Sequence, residues 1–214
     1  MEIKLSNCVL VLVATFFSCS NNKSKDSFTY FGFYQNNKCL KKDSIIVHRK
    51  VVGSSDTFDV QVYAAKELTA KYNEFEDPQK GIFRQCGDGF SLIYNFRNSD
   101  PNEITCPNVS LFQSSIIEQK KTKSYTIDGT SYEVRSFAEY SPSLGTIVSY
   151  YERHIGFFCY YIEHEEGYLM IDSLNNTGMP YEFFRGLENT LINDTAYFGA
   201  FISRRLPKIL PPEK

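Results

Sequence analysis

The sequence predicts an α+β fold that is mainly antiparallel β: a β-meander sheet with one or two C-terminal helices packed on it. The chain holds 18 Phe and 15 Tyr but no Trp, and Phe and Tyr favour strands. Runs rich in these residues recur about every 11 residues with turn chemistry between them, which is typical of a meander. After Pro180 the apolar residues change to helical spacing, which predicts the C-terminal helices.

The domain is expected to begin with three strands. Residues 28–34, 44–52 and 58–65 are rich in aromatic and β-branched side chains, which fit a pleated surface. Asn36-Asn37 and residues 53–56 separate these runs and consist of residue types common in turns. The pattern therefore predicts the first part of the sheet here.

A short helix is expected next, over residues 66–75. Leu68, Tyr72 and Phe75 stand four and then three residues apart, which is helical spacing. The Asp77-Pro78 step would end this helix, because proline disfavours a helical residue before it. A strand and a turn-rich loop follow, over residues 89–96 and 98–107.

The clearest local signal is a hairpin around Asp128-Gly129. A two-residue Asp-Gly link between β-rich runs favours a tight turn, because both central residues need positive φ. The runs that flank it are residues 124–127 and 130–137. Three further strands are predicted over residues 145–152, 156–163 and 168–174.

The C-terminal region is predicted to be helical. Pro180 suits the first turn of a helix, and a helix over residues 180–192 would place Phe183, Phe184, Leu187 and Leu191 on one face. A second helix is expected after the cap signal Asn193-Asp-Thr195, with the same spacing at Tyr197, Phe198, Phe201 and Ile202.

The first residues have the parts of an export signal. Lys4 and the free amino terminus outweigh Glu2, residues 9–17 are apolar, and the small Ser18 stands directly before Cys19. The apolar run is too short to cross a bilayer, which takes about 20 residues. This segment resembles the signal peptide of bacterial lipoproteins, whose cysteine takes the lipid and becomes the new N-terminus.

The resemblance covers residues 1–19 and implies the organisation of the chain. Residues 1–18 would be the signal peptide, 19–27 a polar tether and 28–214 a single β-rich domain. Phe16 and Phe17 depart from the usual lipobox, which has Leu and then a small or β-branched residue there. The resemblance implies an envelope protein anchored by lipid on Cys19. Because Ser20 and not Asp follows the cysteine, it further implies the outer membrane of a Gram-negative bacterium.

The composition limits the classes of partner that are expected. The net charge is −2, and 22% of the residues are charged, so the chain has no basic excess of the kind that nucleic acid attracts. The predicted partners are the membrane, through the lipid on Cys19, and an envelope protein or an apolar ligand. Nucleic acid is not expected.

The cysteines predict one disulfide. Cys86 and Cys106 both lie in turn-rich surroundings, and an exported protein meets an oxidising compartment. Closing a loop of this length contributes roughly 3 kcal/mol. Cys39 and Cys159 remain, and no cysteine has the spacing of a zinc site.

No catalytic residue, metal site or cofactor is predicted. His154 and His164 flank one strand and would stand about 25 Å apart, too far to share a metal. Cys159 lies among aromatic residues, where a thiol is usually buried and inert. The sequence also has no nucleotide-binding loop, nucleophile elbow or His-Glu-x-x-His motif.

Three classes of function remain, and the first is preferred. It is a non-catalytic binding or scaffold module of the envelope, with a carrier of lipid or another hydrophobic ligand as its nearest alternative. The second is a hydrolase that uses paired carboxylates, with Glu133, Glu139 and Glu152 as candidates. The third is a subunit of an envelope complex that makes contact through tyrosines. We therefore expect that the protein is not an enzyme.

Overall fold

The computed structural model describes residues 26–36, 38–52, 57–77, 82–87, 90–96, 114–152, 155–175 and 181–198. This part of the chain forms eleven strands and one helix. The elements are β1 (Asp26–Gln35), β2 (Lys38–Val51), β3 (Thr57–Ala64), β4 (Glu67–Asp77), β5 (Ile82–Gly87), β6 (Phe90–Asn95), β7 (Ser114–Ile127), β8 (Thr130–Ser141), β9 (Gly145–Glu152), β10 (Gly156–Ile162), β11 (Gly167–Asn175) and α1 (Tyr181–Asn193).

The strands form one closed barrel. Each strand pairs with its neighbours in sequence, and β1 also pairs with β11, which closes the sheet. Pairing is antiparallel throughout except between β6 and β7, which run parallel. The first and last strands of the sheet therefore meet, and the barrel has no unpaired edge strand among the described elements.

Aromatic side chains fill the interior of the barrel. Tyr94 on β6 and Phe83 on β5 contact Phe157 on β10, with ring centres 4.6 and 6.0 Å apart. Phe31 on β1 meets Tyr160 on β10 at 6.0 Å. None of these pairs joins neighbouring strands, so the contacts run across the interior. All five residues are buried. The Phe31–Tyr160 pair is edge-to-face and the other two pairs are tilted, and aromatic pairs add about 0.5–1.5 kcal/mol each beyond area burial.

The outer face of β8 to β11 is covered by α1 and the turn that follows it. Leu187 and Leu191 of the helix are buried. Phe198 lies against Tyr161 and Tyr168, with ring centres 5.7 and 5.4 Å away. β10 is consequently covered on both faces.

The predicted hairpin at Asp128-Gly129 is confirmed. Asp128 has a φ of 47° and Gly129 a φ of 78°, as a type I′ turn requires. Ala65 and Lys66 make a second turn of this kind between β3 and β4, with φ of 51° and 71°. Neither residue is a typical choice for positive φ, so this turn is hard to predict from the residue types.

The predicted fold class is wrong. The described chain is nearly all β, a closed barrel with a single short helix, and not an α+β meander with helices packed on an open sheet. The meander from β7 to β11 is present. The pairing of β1 with β11 joins segments that are far apart in sequence, and no local pattern encodes it.

The helix predicted over residues 66–75 is also wrong, because this segment is β4. In the strand, Tyr72 and Glu74 face the interior, opposite Val60 and Phe58 of β3. Glu74 is fully buried and makes an ion pair with Arg49. The inward Glu74 interrupts the apolar alternation that marks a strand. The helical spacing of Leu68, Tyr72 and Phe75 was therefore the stronger signal.

One of the two expected C-terminal helices is present. The helix predicted over residues 180–192 is α1, displaced by one residue. Residues 195–198, where a second helix was expected to begin, form a turn. Phe201 and Ile202 of that prediction lie outside the described residues.

Candidate functional site

The residues of the predicted anchor lie outside the described residues, as does Cys106. Cys86 lies on β5 and is disulfide-bonded. Cys39 and Cys159 are free, so neither is its partner. The Cys86–Cys106 disulfide and the lipid on Cys19 therefore stay predictions.

The histidines do not form a site. His164 is exposed in the turn between β10 and β11, with Nδ1 3.2 Å from the carbonyl oxygen of Ser143. His48 stacks on Phe28 on the outside of the barrel, with ring centres 4.4 Å apart. His154 lies outside the described residues. Within the described ranges, no group of three or more His, Cys, Asp or Glu side chains is arranged to hold a metal ion.

The three candidate carboxylates are not brought together. Glu152 pairs with Val134 of β8, five residues from Glu139, so the two carboxylates face opposite sides about 17 Å apart along the strand. Glu133 is exposed and accepts hydrogen bonds from Arg135 at 2.7 and 2.8 Å. Hydrolysis by paired carboxylates needs about 5–10 Å between the two carboxyl groups, and Glu139 and Glu152 are farther apart than this. Glu133 is next to Val134, the partner of Glu152, and therefore faces the side of the sheet opposite Glu152.

Two carboxyl groups, those of Glu139 and Glu188, have a raised pKa because they are buried. Burial raises the pKa of Glu139 to about 8. Burial also raises the pKa of Glu188 on α1 to about 8, with Arg185 opposing the shift and Asp172 adding to it. A buried carboxyl in an apolar surrounding favours its neutral form, so both groups hold a proton near neutral pH.

Cys159 is buried as predicted, beneath α1. Burial raises the pKa of its thiol, and the neighbouring Glu188 raises it further. A thiol with a raised pKa is a poor nucleophile. Next to it on the outer face, Tyr34 stacks on Tyr168 and donates a hydrogen bond to Asp172 at 3.1 Å.

A buried ion pair lies inside the barrel and was not anticipated. Arg49 Nε is 2.6 Å from Glu74 Oε2, and the two side chains are 4% and 0% exposed. The guanidinium carbon of Arg49 lies 3.6 Å from the ring centre of Phe58. Gln85 Nε2 lies 3.4 Å from the hydroxyl of Tyr72 and 3.5 Å from Glu74. These groups are shielded from solvent, so we assign the cluster to the stability of the barrel.

A concave surface lies between α1 and β7. It is open to solvent and encloses about 580 Å³. We call it the α1 groove. Its walls are Lys123 and Tyr125 from β7 and Asn189, Thr190, Asn193 and Asp194 from the end of the helix.

An ionic and hydrogen-bonded contact fixes one end of the α1 groove. Lys123 pairs with Asp194, and the hydroxyl of Tyr125 donates to the same carboxylate at 2.8 Å. Burial opposes ionisation of Asp194, but the hydrogen bonds from Lys123 and Tyr125 and the charge of Lys123 hold its pKa below the usual value. Burial raises the pKa of Tyr125, and its hydrogen bond to Asp194 adds to the shift.

The other wall of the α1 groove carries uncharged polar groups. Thr190 donates its hydroxyl proton to the carbonyl of Gly186, and Asn193 donates from Nδ2 to the carbonyl of Asn189, both at 2.8 Å. The Thr190 oxygen and the Asn193 amide oxygen keep acceptor capacity, and Nδ2 keeps a second proton. The wall therefore offers both donors and acceptors while the helix fixes their positions.

Two sequence patterns supply residues of the α1 groove, but neither pattern predicts the groove. The basic run at residues 120–123 resembled a solvated loop, but it lies on β7 and supplies Lys123. The cap signal at residues 193–195 supplies Asp194. Only the packing of α1 against the barrel brings the two segments together.

Along the described chain, no helix is long and apolar enough to span a membrane. Neither the protein-family models nor the curated proteins compared with this sequence give a match.

Proposed function

We propose that this chain is a non-catalytic binding protein of the cell envelope, held at the membrane by lipid on Cys19. The export pattern of residues 1–19 supports the anchor. The closed barrel, with rings packed inside and α1 against the outside, supports a rigid platform. Packed interiors resist deformation, so ligand contact is assigned to the outer surface.

The α1 groove is the single observation that carries a binding role. Its volume of about 580 Å³ falls within the range of small-molecule sites, about 300–1,000 Å³. Its walls combine an ammonium group, amides, hydroxyls and a carboxylate. Hydroxyl groups both donate and accept, so a hydroxyl-rich ligand matches these walls, and we assign the site to a saccharide of the envelope.

The test is binding of soluble oligosaccharides released from envelope glycans, followed by NMR and calorimetry. The double variant Asn189→Ala, Thr190→Ala should weaken binding at least tenfold. Thr126→Ala is the matched control, because Thr126 is exposed on β7 outside the α1 groove, and it should bind as the unchanged protein does. Absence of binding, or equal loss in the control, would contradict the proposal.

The anchor has its own test. Mass spectrometry of protein purified from its own membrane should show acyl chains on Cys19 and a chain that begins at this residue. An unmodified chain that begins elsewhere would remove the lipid anchor from the proposal.

A carrier of hydrophobic ligands is the second candidate, and the strand number favours it. Barrels of eight strands are just filled by side chains, and the diameter grows with each added strand. This barrel has eleven, although Tyr94, Phe137 and Phe157 occupy much of its interior. Native mass spectrometry decides between the two, since a carrier retains lipid and a surface-binding protein does not.

A further inference from the structure

The outer face of β1 to β4 carries apolar side chains in a row across four strands. Tyr30 pairs with Ile46, Ile46 with Tyr63, and Tyr63 with Leu68. Residues that pair across strands share a face and contact one another. Tyr30, Ile46 and Tyr63 are partly exposed, and Leu68 is 54% exposed.

A second row lies beside the first and begins with two stacked rings. Phe28 pairs with His48, and their rings stack face to face with centres 4.4 Å apart. The row continues through Gln61 to Lys71, which is exposed. The first row is apolar from Tyr30 to Leu68, and the second ends in the polar Gln61 and Lys71. We call the two rows together the β1–β4 face.

Lysines surround the β1–β4 face. Asp59 lies in the next row, where its carboxylate accepts a hydrogen bond from Asn73 at 2.5 Å. Glu67, the first residue of β4, is exposed. Among the outward side chains that the structure describes on these strands and turns, six exposed lysines stand against these two acids: Lys38, Lys41, Lys42, Lys50, Lys66 and Lys71.

We propose that the β1–β4 face docks on an anionic lipid bilayer. Apolar side chains enter the boundary between headgroups and acyl chains, while lysines extend their stems and place the ammonium groups at anionic headgroups. A row of partly exposed Tyr, Ile and Leu inside a ring of lysines combines an apolar centre with positive charge around it. An anionic bilayer requires both of a protein surface that docks on it.

The position of the tether agrees with this orientation. The proposal rests on the proposed function in one respect, because the lipid on Cys19 is what brings the domain to the bilayer. Asp26 begins β1 and pairs with Lys50, at the border of the β1–β4 face. Asp26 stands seven positions after Cys19, and seven extended residues reach at most about 25 Å. The lipid and the β1–β4 face can therefore contact the same membrane.

The test uses the mature chain with Cys19→Ser, so that only the folded protein binds. It is sedimented with vesicles of phosphatidylethanolamine and phosphatidylglycerol, and with vesicles of phosphatidylcholine alone. We expect at least tenfold tighter binding to the anionic vesicles, and loss of that binding in 0.5 M salt. Equally tight binding to the vesicles of phosphatidylcholine alone would overturn the proposal.

Two pairs of variants locate the contact. Lys71→Glu should weaken binding at least tenfold, whereas Lys120→Glu, an exposed lysine on β7, should not. Leu68→Ser should weaken binding several-fold, whereas Tyr140→Ser should not, although Tyr140 is 69% exposed on β8. Circular dichroism checks that each variant is folded.

Three further results would overturn the proposal. One is the absence of binding to any vesicle, and another is equal loss in the control variants. The third is a stable dimer in sedimentation equilibrium that Leu68→Ser dissociates, because a second copy would then cover the β1–β4 face. Acylation of Cys19 and saccharide binding in the α1 groove are measured separately, so failure here leaves the proposed function standing.

Discussion

Removal of one partner of the buried ion pair should destabilise the barrel strongly. Glu74→Ala leaves the guanidinium of Arg49, which is 4% exposed, without the carboxylate that lies 2.6 Å away. The ring of Phe58 still faces the guanidinium, but a ring at 3.6 Å compensates for only part of a lost charge. Breaking a buried pair in this way costs about 3–5 kcal/mol.

That loss is large against the total stability of a domain, which is about 5–15 kcal/mol. For a domain of this size, 1 kcal/mol moves the melting temperature by about 2–4 °C. The melting temperature of Glu74→Ala should accordingly fall by about 6–20 °C. The double variant Arg49→Met, Glu74→Leu should lose much less, because apolar residues of similar volume often replace a buried pair without cost.

Urea denaturation followed by circular dichroism measures both variants. We expect Glu74→Ala to be less stable than the double variant by at least about 2 kcal/mol. A single variant within about 1 kcal/mol of the unchanged protein would refute it, since the pair would then behave as a solvent-exposed one.

Three further predictions concern the turns, the helix and the thiols. Gly145→Ala should cost at least about 1 kcal/mol more than Gly129→Ala in urea denaturation; both glycines have positive φ, but only at Gly145 would the new Cβ come 2.7 Å from a carboxylate oxygen. Glu188→Gln should stabilise the protein at pH 9, by at most about 5 kcal/mol, and leave it nearly unchanged at pH 4. Burial raises the pKa of Glu188 to about 8, so the unchanged protein loses stability as the pH rises from about 4.5 to 8, and equal pH profiles would contradict this. A maleimide should label the exposed Cys39 in the native protein and the buried Cys159 only after unfolding; equal rates would show that α1 does not protect the buried thiol.

Local signals predicted much of the secondary structure. Asp128-Gly129 fixed a turn because the required φ values depend on the two residues themselves. The segment at residues 66–75 was misread because Glu74 faces inward and is stabilised by Arg49, a residue on another strand. β5 (Ile82–Gly87) was missed, with Gln85 buried beside the same pair. Polar residues that find a buried partner break the apolar period, and the partner is not visible from the neighbouring sequence.

The α1 groove and the barrel closure depend on contacts between distant segments. Lys123 and Asp194 are 71 residues apart in sequence, and each resembles an ordinary surface residue. The lysines around the β1–β4 face are spread over two strands and a turn, so their common position becomes visible only with the register. Composition had indicated no basic excess, because a local patch is hidden in a chain with a net charge of −2.

The pairing of β1 with β11 has a consequence for how the chain folds. Hairpins such as β7–β8 can form early, because the entropy of closing a loop grows with its length. The seam between the first and last strands brings Phe28 beside Asn175, and contacts of such long range slow folding. Until the seam forms, β1 and β11 are open edges that can pair with other chains. We therefore expect closure of the seam to be the late step of folding, and the stage at which this protein is most prone to aggregate.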